Sequence, residues 1–432
     1  DLVVKNGRVF TAKGQMSTEV WIKDGRIAAL GGAHRAEESI DARGMLVLPG
    51  AIDVHVHFRD PGPNYKEDWA SGSASAAAGG VTTIVDHPNT VPRTMDAGSF
   101  EEKLDIARHR SFVDFGLNGG PGKIDELKDA GAQAIGEIFS YEHSDSDLAA
   151  ILGQVGRAGM LACLHAEDGA IIKEKVAELS GRHDPEVYSL ARPASAEAAA
   201  IEKACGISEC LHICHLSSAQ GLAAVEAGRR AGRVVTAEVA PHHLLLNEKD
   251  YQKQGSFLKM NPPLRRKGDN DALWQALRSG KIDILASDHA PHLPEEKRED
   301  IWEAPPGVPG VETMLPLMLM AVKKNHISLE RLVDAISARP ARIFGLAGKG
   351  GIERGMDADL VIVDSKAVTE INADRLHSRA DWTPYQGKQA IFPQMTIVRG
   401  RVVWDGDLQV APGYGRFLGR PLKREKQKVL SE

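Results

Sequence analysis

Cysteine is scarce in this chain. Cys163, Cys205, Cys210 and Cys214 are the only four in 432 residues, and none form a CxxC pair. That excludes a disulfide framework and a CxxC redox or zinc motif, and points to a reducing, cytoplasmic setting. Cys214 lies within an apolar run and reads as a buried core thiol. Long apolar runs are missing as well. No stretch approaches the ~20 residues a membrane span needs, and Asp1–Gly7 has no basic-then-apolar secretory pattern. Neither sign of charge dominates: 53 Lys and Arg stand against 59 Asp and Glu, a formal net charge of −6. That balance argues against nucleic acid or an anionic membrane as the main partner. No strand-like run leads into GxGxxG or a P-loop, so a nucleotide site has no support.

What is present is a repeating pattern. With 42% hydrophobic and 26% charged residues, the chain can bury a sizeable core. Through its middle, short β-branched or apolar runs end in polar residues and are followed by helix-like stretches. The runs are Ala51–His57, Val81–His87, Phe112–Leu117, Ala132–Phe139, Met160–His165, Leu211–His215, Arg233–Val239 and Ile282–His289. Helical candidates between them include Asp68–Ala78, Phe100–Arg110, Asp145–Ala158, Ser195–Cys205, Ala219–Ala231 and Asp271–Ser279. Strands alternating with helices imply parallel pairing through right-handed crossovers. Eight such units over about 300 residues fit an α/β chain folded as a (β/α)8 barrel. A doubly wound open sheet would not require eight runs, or polar residues at the C-terminal ends of most of them.

The chain ends differ from the middle. "VVKNGRVF" and "VWIKDGRIAALGG" read as short strands broken at Asn6-Gly7 and Asp24-Gly25, both hairpin signals. "DADLVIVD" and "MTIVRGRVVWDGD" repeat the theme near the C-terminus. The expected organisation is a small composite β domain with a tail from residues 1–48 and 350–432, flanking a catalytic barrel over 49–349. The tail from Arg416 is basic and polar, and reads as a solvated or packing extension.

Chemistry-bearing side chains cluster at predicted strand ends. In His55-x-His57, residues i and i+2 point the same way, so two imidazoles converge at the barrel mouth. A bare HxH is a weak signal that core packing often explains. The remainder of the set strengthens it: His165 ends the fifth run, His215 the sixth, and Asp288 sits in the eighth. Barrel enzymes carry their catalysts at this face, whereas scattered structural histidines would not share that register. Glu137 in the fourth run is either an ordinary strand-end charge or a carboxylate able to bridge two metals. Glu238, His242 and His243 end the seventh run and read as supporting or packing residues. Arg59, two after His57, points to the mouth if the strand continues.

Seven motifs now carry a resemblance. "DVHVHFRDPG", "AGGVTTIVDHPNT", "LHAED", "HICHLSS", "EVAPHHL", "KMNPPLR" and "SDHAPH" closely resemble the dihydroorotases, in the cyclic-amidohydrolase branch of the amidohydrolase superfamily. The likeness extends over nearly the whole chain, including "GGIERGMDADLVIVD". It implies that His55, His57 and Asp288 hold one metal and His165 and His215 a second. Glu137 stands where many members carry a carboxylated lysine and others an Asp. Zinc is the metal implied for one or two sites, with Mn, Co or Fe as rivals. Arg59 and Asn89 would grip a substrate carboxylate. Asn261 and His292 would contact the ring, with the backbone of Pro306-Gly307 along its other side and His57 against it as well. Asp288 would carry the proton from the attacking water to the leaving nitrogen. His87 stands where relatives usually have Met. The long polar stretch His289–Gly307 is a candidate lid. The competing readings are an allantoinase- or hydantoinase-like enzyme, and a non-catalytic partner of aspartate transcarbamoylase.

Overall fold

The computed structural model describes residues 1–32 and 34–419; the remainder of the basic tail expected from Arg416 lies outside the described residues. Eight parallel strands form a barrel: Ala51–Val56, Val81–Asp86, Asp114–Leu117, Ile135–Phe139, Ala162–His165, Cys210–Ile213, Val234–Val239 and Ile284–Leu285. The first three pair with one another in chain order, as do the last five. Single parallel bridges, Gly119 to Ile135 and Val56 to His289, complete the ring. The expected (β/α)8 barrel is therefore the fold, with a helix following each strand. All eight strand-like runs and all six helical candidates lie on elements of the expected type.

The sequence explains several of these elements locally. Asp68 caps the helix Trp69–Ala78 by accepting from Ser71 N, and Asp96 caps Ala97–Arg110 in the same way through Ser99. Trp69–Ala78 is almost all small residues and buries most of its surface. Gly72 lets it sit on the first barrel strand's exit: a Cβ there would lie 2.6 Å from the Phe58 ring. Phe58 is in turn fixed edge-on against Trp69. The residue after His57 is thus locked by packing.

Beside the barrel lie two larger sheets and a two-stranded pair, Thr369–Glu370 with Gln389–Ala390. One runs Arg401–Trp404, Met395–Val398, Leu360–Val363, Leu46–Pro49, Arg8–Thr11, Gly14–Ser17; the other runs Arg26–Leu30, Val20–Lys23, Leu2–Lys5, Glu38–Asp41. Val4, Val9, Ile22, Val47, Leu360 and Ile397 pack between them. Asp24-Gly25 makes the expected hairpin between Val20–Lys23 and Arg26–Leu30. Asn6-Gly7 does not. Leu2–Lys5 already has Val20–Lys23 on one side and Glu38–Asp41 on the other. With both edges taken, Arg8–Thr11 crosses to the second sheet, so the turn links sheets instead of paired strands.

Two features join the small sheets to the barrel. Gly50 alone separates Leu46–Pro49 from the first barrel strand. Lys349, fully buried, donates to Asp114 of the third barrel strand and to Asp359, each at 2.6 Å, with Asp357 at 3.1 Å. Arg399 also contacts Asp114, at 3.1 Å. Within the tail, Phe417 packs on Phe115, and Arg416 pairs with Asp357. The chain between Leu360–Val363 and Met395–Val398 leaves the small sheet for the barrel mouth. There Ser378 donates to Glu67 at 2.5 Å, and Trp382 to the His292 carbonyl at 2.8 Å.

Removing the cation from a buried cluster leaves uncompensated carboxylates. Lys349→Met should therefore cost about 3–5 kcal/mol of stability, read by denaturant unfolding. A loss below about 1 kcal/mol would show that the cluster does not hold the sheets to the barrel.

Candidate metal centre

The first barrel strand ends at Val56, with His55 inside it and His57 just beyond. His165 is the last residue of the fifth strand; His215 and Asp288 follow the sixth and eighth. Glu137 lies in the fourth strand, where the pairing register slips between Ile135 and Ile138. Such a bulge re-aims a side chain, here toward the barrel axis. His215, Asp288 and Arg59 all have positive φ, at 31°, 49° and 59°. Backbone of this kind costs of order 1–3 kcal/mol per residue and persists only where packing enforces it.

These turns bring the predicted donors together. Asp288 Oδ1 lies 3.5 Å from His55 Nε2 and 3.3 Å from His57 Nε2. Glu137 spans the gap between two groups. Its Oε1 is 2.9 Å from His165 Nδ1 and 2.7 Å from His215 Nε2; its Oε2 is 3.7 Å from His55 Nε2 and 3.8 Å from His57 Nε2. His55, His57 and Asp288 form one cluster of metal-holding geometry, and Glu137, His165 and His215 another.

An outer acceptor fixes three of the four rings. His55 Nδ1 donates to Glu238 at 2.5 Å, His57 Nδ1 to the Asn89 carbonyl at 2.6 Å, and His165 Nε2 to Glu167 at 2.8 Å. Each bond places a ring proton on the outer nitrogen and leaves the other nitrogen facing the centre. Glu238 also accepts from His212 at 3.1 Å, and Arg192 neutralises Glu167 at 2.5 Å. Glu238 is thus a supporting residue, as expected.

The donor set fits a divalent cation. His55 Nε2 is buried with no hydrogen-bond partner, aimed between two carboxylates. Burial alone would raise the Glu137 pKa, but hydrogen bonds from His165 and His215 and the charge of His55 hold it well below the usual range. Burial likewise opposes charging His165, yet hydrogen bonds to Glu137 and Glu167 push it up to about 9. The carboxylates demand positive charge between them, which a metal ion supplies. His87 stacks on His55 with ring centroids 4.0 Å apart. His87 also comes within ligand distance of His55 and Glu137, which makes those three a further cluster of metal-holding spacing. Burial, with His55 and His57 alongside, depresses the His87 pKa and keeps it neutral.

Above the centre opens a cavity of about 240 Å³, lined by all seven expected substrate contacts: His57, Arg59, Asn89, Asn261, His292, Pro306 and Gly307. Arg59 arrives by a left-handed turn; the strand does not continue to it, so period-2 spacing did not place it. Its Nε is buried without a partner. His292 accepts from Lys66 at Nδ1 (3.1 Å) and donates from Nε2 to the Pro306 carbonyl (3.0 Å). Sequence reasoning missed several contributors. Phe139 and Tyr141 line the cavity, and Tyr188 donates to Asn261 Oδ1 at 2.7 Å. Glu167 follows the end of the fifth strand, so strand periodicity did not point to it, and Tyr188 lies on a short helix between the fifth and sixth strands and carried no signal.

Glu238→Ala would leave His55 free to rotate. Metal affinity should fall by about 10–100-fold, measured by chelator competition on the folded protein. Unchanged affinity would mean that Glu238 does not orient His55.

Residues 46–403 match the model of the Amidohydrolase family. A dihydroorotase of Methanosarcina mazei is 44% identical, with 97% of each chain covered. An allantoinase of Rubrobacter xylanophilus is 37% identical over 99% of this chain and 98% of its own. The solved L-hydantoinase (dihydropyrimidinase) from Arthrobacter aurescens superposes with a TM-score of 0.94 at 34% identity, covering 97% of this chain and 100% of that one. The match over most of the chain and the shared barrel make this chain a member of the amidohydrolase family.

Proposed function

We propose that the chain is a dihydroorotase, which reversibly hydrolyses (S)-dihydroorotate to N-carbamoyl-L-aspartate in pyrimidine biosynthesis. The observation that carries the substrate is Arg59. A buried guanidinium nitrogen without a partner is costly, and at the wall of a cavity it marks an anion subsite. Dihydroorotate carries a ring carboxylate that fills it; allantoin and simple hydantoins have none. Asn89 spends its carbonyl on His57, which leaves its Nδ2 to donate to the same carboxylate. Archaeal dihydroorotases at 39–44% identity support this choice over the more distant allantoinase and hydantoinase.

His55, His57 and Asp288 would hold one ion, His165 and His215 a second, and Glu137 both. The histidine-rich donor set favours zinc over Mn, Co or Fe. Such ions, when bound, polarise a carbonyl and acidify water. The chain's residues do the remainder. Burial would raise the Asp288 pKa, but the His57 hydrogen bond and the charges of His55 and His215 hold it well below the usual range. Asp288 is therefore ionised and able to take the attacking water's proton. It returns that proton to the ring nitrogen as the C–N bond breaks, which leaves a ureide NH2 and a carboxyl group that releases the water's second proton to solvent as it ionises. His292 stays neutral, because burial and the neighbouring Arg59 and Lys66 charges all depress its pKa. It can then face the ring without adding charge. Buried thiols at Cys163, Cys205 and Cys214 fit a cytoplasmic enzyme, and no helix among the described residues is long and apolar enough to cross a membrane. A complete donor set argues against a non-catalytic scaffold.

Turnover of L-dihydroorotate should be lost on chelation, restored by zinc, and absent with allantoin. Metal-dependent opening of allantoin instead would overturn the substrate. Asp288→Asn should lower kcat by about 10²–10⁴-fold, and retained activity with metal bound would remove the proton-carrier role. Arg59→Met should raise KM for dihydroorotate by about tenfold or more, as expected for a lost charged hydrogen bond.

A further inference from the structure

Lys297 is fully buried, yet no carboxylate lies within ion-pair distance of it among the described residues. Its Nζ instead donates to three backbone carbonyls: Lys259 at 2.8 Å, Pro305 at 2.8 Å and Gly307 at 3.0 Å. The Trp382 ring lies 5.8 Å away. Burial and the nearby Lys259 ammonium push its pKa down. Three acceptors nonetheless need three N–H donors, which only the charged form has. An unneutralised buried ammonium is a poor way to gain stability, so its placement calls for another account.

The three carbonyls belong to the two segments that form the ring-facing wall. Lys259 is two residues before Asn261, and Pro305 and Gly307 flank the Pro306 carbonyl that faces His292. Gly307 N also donates to the Lys259 carbonyl at 2.9 Å. Gly307 has φ +135°, and a Cβ there would lie 2.4 Å from the Ala290 carbonyl, so this backbone has one tight seat. The loop expected to be a lid is thus bolted at its C-terminal end.

We propose that Lys297 is a positioning residue that braces the Asn261 segment against Pro305–Gly307 and so sets the width of the ring-binding slot. It touches neither metal ligand nor substrate and acts through backbone carbonyls alone. The inference rests on the reading of this cavity as the site of a cyclic ureide.

Lys297→Met keeps the bulk and removes the donors. It should fold and bind metal as the parent does, change kcat by less than about threefold, and raise KM for L-dihydroorotate by about tenfold, the signature of a slot that no longer fits its ring. Amide exchange at Gly307 should quicken while exchange in the barrel strands stays unchanged. Should Lys297→Met not fold, Lys297→Ala assayed with added ethylammonium should show a saturable fall in KM that matched sodium chloride does not give. Unchanged KM and unchanged Gly307 exchange in Lys297→Met, or no ethylammonium response in Lys297→Ala, would overturn the brace. The exchange measurement needs no substrate. A wild type that ignores dihydroorotate would sink the substrate reading while the brace is judged separately.

Discussion

Four carboxylates, those of Glu137, Glu167, Glu238 and Asp288, are buried around one barrel mouth, and the site depends on how their charge is met. Like charges in a low dielectric repel strongly. Here the outer two are bound to ring N–H groups, with Arg192 on Glu167, while Glu137 and Asp288 face imidazole nitrogens at distances from 2.7 Å to 3.8 Å. The inner pair stays ionised because positive charge meets it, from the imidazole rings or from a cation held among them. That requirement explains why the donors are histidines with their outer nitrogens already occupied, and why the backbone accepts left-handed turns at His215 and Asp288.

The barrel turns this requirement into geometry. Parallel strands end on one face, so side chains distant in sequence converge without any long loop. The small sheets contribute from outside. Lys349 anchors them to the third strand, and the segment through Ser378 and Trp382 reaches round to hold the first and last loops at the mouth. Above the donors, the proposed substrate wall has two characters: a cationic side at Arg59 for a carboxylate, and a neutral backbone side at Pro306-Gly307 for a flat ring.

Much of this was legible in the sequence. Strand-ending histidines share a register that chance does not produce, and the barrel follows from eight β-to-α alternations. What stayed hidden depends on contacts that no local spacing encodes. Asn6-Gly7 has the hairpin signature, but which strand it pairs is decided by the occupied edges of Leu2–Lys5. Arg59 reaches the cavity through a turn, so the period that was used to place it does not apply. Tyr188 and Lys297 act through partners about 73 and 38 residues away along the chain, and neither has a motif of its own. Glu167 lies past the end of its strand at His165, so its place beside that ring is set by the loop and by Arg192, not by strand period.

The account's central claim is that Glu137 joins two cation sites. The most direct measurement is metal stoichiometry by mass spectrometry on the reconstituted protein, wild type beside Glu137→Ala. The account predicts two divalent ions per chain in the wild type, with the ion at His165 and His215 lost in the variant. Two ions retained without Glu137, or a single ion in the wild type, would contradict it.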